Sequence, residues 1–341
     1  MSQQPIDLAA SLAGPLATTA VAAVVLAEIV RRLAWRFGVV DVPGGRRLHA
    51  RPTPRGGGLA VALAWAVGSV AMHATGPTAA ENAPMLAVLG FAGLGLADDI
   101  RPLPAWSRLA AQVAIVCVAA AFGMPDDPSW SAASLVVVAL VGLFVINAFN
   151  FVDGADGLVP LQVLAITGGL LILVRPESAA SPWLHAWQVR QWLLAAALLG
   201  FLPFNVPKAR LFLGDVGSLM LGSACVAAAL EPVLRGALHP AAALALFSVI
   251  CVDPAWTLLR RTLRRAPILQ AHLEHGYHRW LRAGVSHLRI SLGAAAVNAL
   301  LAVPAAWAIQ RGVLDPALGL GLVVLPILVV AIRAGAGAPA Q

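Results

Sequence analysis

Apolar residues in this chain come in long blocks separated by short polar punctuation. The blocks fall at 12–35, 57–75, 84–97, 107–123, 131–149, 158–174, 190–204, 211–230, 240–259, 288–309 and 313–333. Most approach or reach the roughly 20 residues that carry a helix across a bilayer. The third and seventh are short, so the pattern predicts about 10–11 transmembrane helices. The expected fold is an all-α polytopic membrane protein, a single domain over 1–341 with loops at one membrane face forming the site. No internal repeat or low-complexity linker divides it. The Ala- and Gly-rich end, 334–341, is expected to be a disordered tail.

Composition agrees with the pattern. Of 341 residues, 60% are hydrophobic and 11% charged, against about 25% charged in a soluble domain. Cys117, Cys225 and Cys251 sit singly in apolar runs, which argues for packing and against zinc or a disulfide framework. The first ten residues lack a basic region ahead of an apolar core, so the first block reads as a retained span.

Charge placement adds orientation. With eleven blocks, the loops divide into two sets. One holds nineteen of the 23 basic residues; the other keeps Arg175, Arg190, Arg235 and Arg311. The positive-inside bias puts the first set in the cytosol and the N-terminus outside. Tryptophans near block ends, such as Trp35, Trp106 and Trp192, suit interfacial belts. Every polar motif described next falls in the cytosolic set.

The first loop, DVPGGRRLHARPTPRGGG (Asp41–Gly58), cannot be a continuous helix. Arg46, Arg47, His49 and Arg55 suggest a shaped anion-binding rim, since guanidinium matches phosphate oxygens in a fork; ordinary positive-inside charge is the alternative. Asp98 and Asp99 end an apolar run, where two adjacent acids call for a bound cation or a transferable proton. In FNFVDGADGL and the turn before it, Asn147, Asn150, Asp153 and Asp156 recur at spacings of three. Such steps keep side chains near one helix face. Hard oxygen donors of this kind suit Mg²⁺ carrying phosphates, although the asparagines could instead be interhelical bonding residues.

Two further motifs follow. In FNVPKARLFLGDVGSLMLG, Asp215 stands between glycines ahead of Ser218, where a helix start would offer free N–H groups to a phosphate. Lys208, the single lysine, is a candidate diphosphate partner, while Asp215 or Ser218 acting as a helix cap is the plainer alternative. In AHLEHGYHRWLR, His272, His275 and His278 suggest a helix face. The absence of nearby cysteine disfavours zinc, leaving contacts to sugar or diphosphate, or acid–base work, with Arg279 beside them. Asp253 is read as structural.

These five blocks, in this order over about residues 40–285, resemble the polyprenyl-phosphate N-acetylhexosamine-1-phosphate transferases of glycosyltransferase family 4. That superfamily includes the phospho-MurNAc-pentapeptide translocase. The resemblance implies transfer of a sugar-1-phosphate from a UDP-N-acetylhexosamine to undecaprenyl phosphate, with release of UMP. It implies Mg²⁺, or Mn²⁺, as cofactor and the lipid bilayer as environment, with no nucleic acid; a homodimer is left open. By position, Asp98 and Asp99 match the acidic pair, and Asn147 to Asp156 match NxxNxxDGxDGL. Asp215 matches the metal-associated aspartate of GDxGS, and His272 and His275 match the histidine motif. The HxxHxYxR form is closer to the O-antigen-initiating branch than to the peptidoglycan translocase.

On this reading Asp98, Asp99, Asp153, Asp156, His272 and His275 are the catalytic candidates. Asp215 and Asn150 are the metal candidates. Arg46, Arg47, His49, Arg55, Asn147, Lys208, His278 and Arg279 are the substrate contacts. Asp98 or Asp99 is expected to take the lipid phosphate's proton, with a covalent aspartyl route as the alternative. A cation-coupled transporter would also carry acids in spans, but near the midplane rather than clustered at one face. A CDP-alcohol phosphotransferase would need a compact run of aspartates that is absent.

Overall fold

Each apolar block folds as a helix in the computed structural model, which describes residues 8–43, 51–72, 79–123, 131–175, 182–270 and 272–339. In order these are α1 (Leu8–Phe37), α2 (Gly57–Met72), α3 (Ala79–Ile100), α4 (Ala105–Gly123), α5 (Ala132–Val152) and α6 (Leu158–Leu173). There follow α7 (Pro182–Asn205), α8 (Gly214–Leu234), α9 (Pro240–Leu263), a short α10 (Gly276–Arg282), α11 (His287–Val297), α12 (Val303–Gln310) and α13 (Pro316–Arg333). A π-helical turn, Asn298–Ala302, joins α11 to α12, making one apolar helix over His287–Gln310. Among the described residues six helices are long and apolar enough to cross a membrane on length and composition, and shorter apolar helices lie between them. The chain is an all-α, multi-pass membrane protein.

The helix ends follow local chemistry. Ser131, His239, Ser286 and Asp315 each accept a first-turn N–H, capping α5, α9, α11 and α13. The seventh helix starts earlier than its apolar block because Pro182–Arg190 mixes tryptophans with polar residues. Those residues dilute hydropathy without breaking the helix, and Trp187 is wholly buried with its indole N–H on Ala228 O at 2.8 Å.

Among the long apolar helices α8 is the most enclosed: 72% of its apolar window is buried, against 17% for α1 and α13. It packs on α2, α3, α5 and α6. Close approach depends on glycine. A Cβ at Gly58 would stand 2.0 Å from Gly217 Cα, and one at Gly95 would stand 2.2 Å from Asp215 O. Small residues at such crossings let membrane helices meet backbone to backbone.

At the end of the bundle where α2 and α8 begin, a two-residue ladder pairs Val40 with Pro54 and Asp41 with Thr53. The segment entering α2 is then laced to that entering α8: Phe212 N donates to Pro54 O, and Gly57 N to Phe212 O, each at 2.8 Å. At the other end Arg190 pairs with Glu231 at 2.6 Å, and His239 N donates to Gln310 Oε1 at 2.7 Å. Of the tail expected to be disordered, 334–341, residues 340–341 lie outside the described residues. Residues 334–339 form turns against α9 and α10, with Ala336 fully buried and Gly337 N bonded to Glu274 O at 2.7 Å. Basic side chains on those two helices claim its carbonyls, a partnership composition alone does not reveal.

Candidate active site

The site grows from the first turn of α8. Its free amides are satisfied from another helix: Asp99, at the end of α3, accepts Asp215 N at 3.1 Å and Val216 N at 3.0 Å. A carboxylate there also suits the positive end of the helix dipole. Neither Asp215 nor Ser218 is the cap. Asp215 instead turns its side chain outward, where Asn150 Nδ2 reaches its Oδ1 at 2.7 Å and Ser218 Oγ at 3.0 Å. Arg55, just before α2, lies 3.3 Å from Asp99 and 4.0 Å from Asp215. Burial works against its charge, but Asp99, Asp215 and Asp41 outweigh that and raise its pKa. Asp98, beside this knot and close enough for its charge to act on Asp215, has its oxygens taken by Leu103 N and by Arg108 Nη1, each at 2.6 Å.

The end of α5 supplies the rest, and its four polar residues separate in role. Asn147 exchanges amide bonds with Gln112 of α4, at 2.7 and 3.2 Å, which ties α5 to α4. Asn150 orients Asp215 as a donor. Asp156 clasps the turn to its neighbours: its Oδ2 accepts Ala209 N at 3.0 Å, its own N–H donates to His287 Nδ1 at 3.0 Å, and Ser291 Oγ donates to its carbonyl at 2.8 Å. That leaves Asp153, whose carboxylate has no hydrogen-bond or ion-pair partner among the described residues. Burial, reinforced by the charges of Asp215 and Asp99, pushes its carboxyl well above the ordinary carboxylate range.

The histidines do not share one helix face. His272 precedes α10, His275 is its N-cap residue and His278 lies within it. They cluster through a tight turn: ring centroids are 4.8 Å apart for His272 and His275 and 5.7 Å for His275 and His278. Desolvation, then the charge of His275, lowers His272 to about 4 and His278 to about 3. His275 and His278 bury Nδ1 without a hydrogen-bond partner among the described residues. Asp253 of α9 fixes the turn by accepting Gly276 N at 2.8 Å, and it stands 3.8 Å from His275 Nδ1. Tyr277 Oη donates to Phe151 O at 2.9 Å, joining the histidine turn to the end of α5. Below Tyr277 an apolar cavity of about 500 Å³ runs between α6, α9, α11 and α13, with Asp253 and Arg289 in its wall.

Of the expected cationic contacts, Arg55 is in the knot, and Lys208 is exposed beside the loop that Asp156 holds, without an ion pair among the described residues. Arg279 donates to Ala338 O and Pro339 O, at 2.6 and 3.0 Å. Arg46, Arg47 and His49 lie outside the described residues. No group of three or more His, Cys, Asp or Glu among the described residues forms a ready-made metal cage. The donors at hand are still hard oxygens, Asp215 with Asp153 and Asp99 as electrostatic neighbours. Mg²⁺ commonly uses one or two carboxylates plus phosphate oxygens and water, so this set fits that ion. Asn150 donates through Nδ2 to Asp215 and Ser218, so its Oδ1 is the atom it could offer a metal.

Sequence reasoning passed over Arg108, Gln112 and Glu274, and it read Asp253 as structural without finding its partner Gly276. The first two lie in α4, far from any motif, and nothing local marks them as partners. For Asp253 the available signal was an acid inside an apolar run, a costly placement that calls for a named partner.

Comparison with known proteins supplies the family. The glycosyl transferase family 4 profile matches residues 83–232. The decaprenyl-phosphate N-acetylglucosaminephosphotransferase of Mycobacterium tuberculosis (strain ATCC 25618 / H37Rv) is 31% identical, the match covering 77% of this chain and 74% of that protein. A probable undecaprenyl-phosphate N-acetylglucosaminyl 1-phosphate transferase of Bacillus subtilis (strain 168) is 27% identical over 77% and 75%. The phospho-N-acetylmuramoyl-pentapeptide-transferase of Deinococcus radiodurans is 30% identical over 72% and 83%. The acidic pair, the asparagine–aspartate block and the Asp215 turn all lie inside the matched span, and the chain belongs to glycosyl transferase family 4.

Proposed function

We propose that this protein transfers an N-acetylhexosamine-1-phosphate from a UDP-sugar to undecaprenyl phosphate, releasing UMP, in a Mg²⁺-dependent reaction at the cytosolic face of a bacterial plasma membrane. The observation that carries the reading is the meeting of Arg55, Asp99, Asn150, Asp153 and Asp215, drawn from distant parts of the chain, at one end of the bundle. The names of its relatives favour N-acetylglucosamine among the sugars and a polyprenyl phosphate as acceptor. The apolar cavity beside the histidine turn suits an isoprenoid tail.

Both reactants are anionic, so the chain must hold two phosphates together against repulsion. Asp215, oriented by Asn150, would hold the metal, which when bound supplies charge neutralisation on the diphosphate and the leaving UMP. Arg55 and Lys208 contribute fixed positive charge to the same oxygens. An oxygen of the lipid phosphate attacks the phosphorus attached to the sugar, the bond from that phosphorus to the bridging oxygen breaks, and UMP departs. The lipid phosphate's proton passes to Asp153. We place this role on Asp153 rather than on Asp98 or Asp99: the oxygens of those two already serve Arg108 and the α8 amides, whereas Asp153 has no partner among the described residues and a raised affinity for a proton.

The test is to incubate purified protein with undecaprenyl phosphate, Mg²⁺ and a panel of UDP-N-acetylhexosamines and to follow UMP. Release that needs both lipid and metal is expected, and Asp215→Asn should abolish it while the fold persists. No release with any donor, or near-normal turnover by Asp215→Asn, overturns the assignment.

A further inference from the structure

We propose that the C-terminal segment 334–339 is a strap that positions the histidine-bearing turn, and that Arg279 acts by gripping this strap rather than by touching substrate. The inference rests on the transferase reading above for its catalytic consequence. The contacts are made by main-chain groups of the strap. Gly337 N donates to Glu274 O at 2.7 Å, and Arg260 Nη1 donates to Ala336 O at 3.0 Å. From the other side of the turn, Arg279 Nη2 donates to Ala338 O at 2.6 Å and to Pro339 O at 3.0 Å.

The segment lies directly on α9. Gly337 takes φ +70°, and a Cβ there would stand 2.8 Å from Arg260 Cβ and 3.2 Å from Thr257 Cα. Glu274 is itself pinned from beneath, its carboxylate paired with Arg261 at 2.7 Å and Arg264 at 2.6 Å. The stretch from His272 to Arg279 is therefore fixed at four places: Glu274, Gly276 on Asp253, Tyr277 on Phe151, and Arg279. The strap supplies a partner at the first and the last. With its Nη2 donating to two carbonyls of the strap, Arg279 cannot present a bidentate fork to a phosphate without releasing them.

Four proteins test this: the full chain, a chain ending at Arg333, Arg279→Gln, and the two changes combined. UMP release gives kcat and the KM for the UDP-sugar, and hydrogen exchange reads the protection of residues 272–282. Loss of the strap is expected to lower kcat by roughly tenfold to a hundredfold, the scale of a small misplacement near reacting groups, with KM unchanged. Exchange should accelerate over 272–282 while α8 keeps its protection. Arg279→Gln should reproduce both effects, Arg279→Lys should recover part of them, and Arg279→Gln should add nothing in the shortened chain. A raised KM in Arg279→Gln, or additive losses in the double variant, would make Arg279 a substrate contact and overturn the proposal. So would full kcat and unchanged exchange in the shortened chain. Should the shortened chain fail to fold, Gly337→Ala in the full chain carries the same readouts. If the full chain releases no UMP, the transferase reading fails, whereas the exchange comparison still decides whether the strap holds the turn.

Discussion

Asp99 and Asp153 are both acids beside Asp215, yet the protein holds them in opposite ways. Asp99 accepts two amides of α8 and faces Arg55, so its charge is used structurally. Asp153 has its proton affinity raised by burial and by its acidic neighbours. Asp153→Asn is therefore expected to lower kcat by about 10²- to 10⁴-fold, the range for a general base, with little change in melting temperature. Asp99→Ala should instead lose about 1–3 kcal/mol of stability by leaving buried amides unpaired. Thermal melts beside UMP assays separate these outcomes, and equal effects on both readouts would refute the division. A second residue-scale effect concerns pH. Burial holds His278 near 3 and His272 near 4, below the roughly 6.5 of an unfolded histidine. The unfolded chain then binds protons that the folded chain refuses. Their contribution is intact above about pH 6.5 and is lost as pH falls through the interval down to the folded values. Melting temperature in detergent should decline over that interval, and His278→Phe should flatten the decline.

Helices meet here through backbone, and glycine decides where. Gly95 and Gly93 lie on the same helix, but a Cβ at Gly95 would stand 2.2 Å from Asp215 O whereas one at Gly93 meets nothing within 4 Å. Gly95→Ala must push α3 from α8. It should lose about 1–3 kcal/mol as an overpacked crossing and lower activity by drawing Asp99 off the α8 amides. Gly93→Ala should leave both unchanged or gain slightly in melting temperature; matching behaviour of the two variants would show that the crossing tolerates the methyl. The same elements show what was legible in the sequence. Helix positions were, since hydropathy blocks and capping residues are local signals. The acids at 98–99, 153–156 and 215 also were, since ionisable groups at the ends of apolar runs are costly without a partner. Their division of labour was not: which acid caps α8, ties a loop or has no partner among the described residues depends on Arg108 in the next helix and on Ala209 and the α8 amides far along the chain. The strap was hidden for the same reason, because Gly and Ala advertise nothing and its partners are carbonyls.

At the scale of the whole molecule, helix order and charge placement make one joint claim. Contacts between Arg55 and Asp99, Asn150 and Asp215, Asp156 and Ala209, and Gly337 and Glu274 gather the polar loops at one end of the bundle. Arg190–Glu231 and His239–Gln310 mark the other. By sequence, nineteen of the 23 basic residues fall in or next to the loops of the first end, and the proposed orientation, with the site in the cytosol and the N-terminus outside, applies the positive-inside bias to that asymmetry. Single cysteines at Arg101 and Lys208 report the first end, and at Arg235 and Arg311 the second, in a chain whose own three cysteines are replaced. An impermeant thiol reagent should label the first pair only in inverted membrane vesicles and the second only in intact cells. The opposite pattern would reverse the orientation and place the site where UDP-sugars are not made. Labelling of Arg101→Cys and Lys208→Cys from different sides would be more damaging, because Asp99 and Asp156 could not then share a pocket with Asp215.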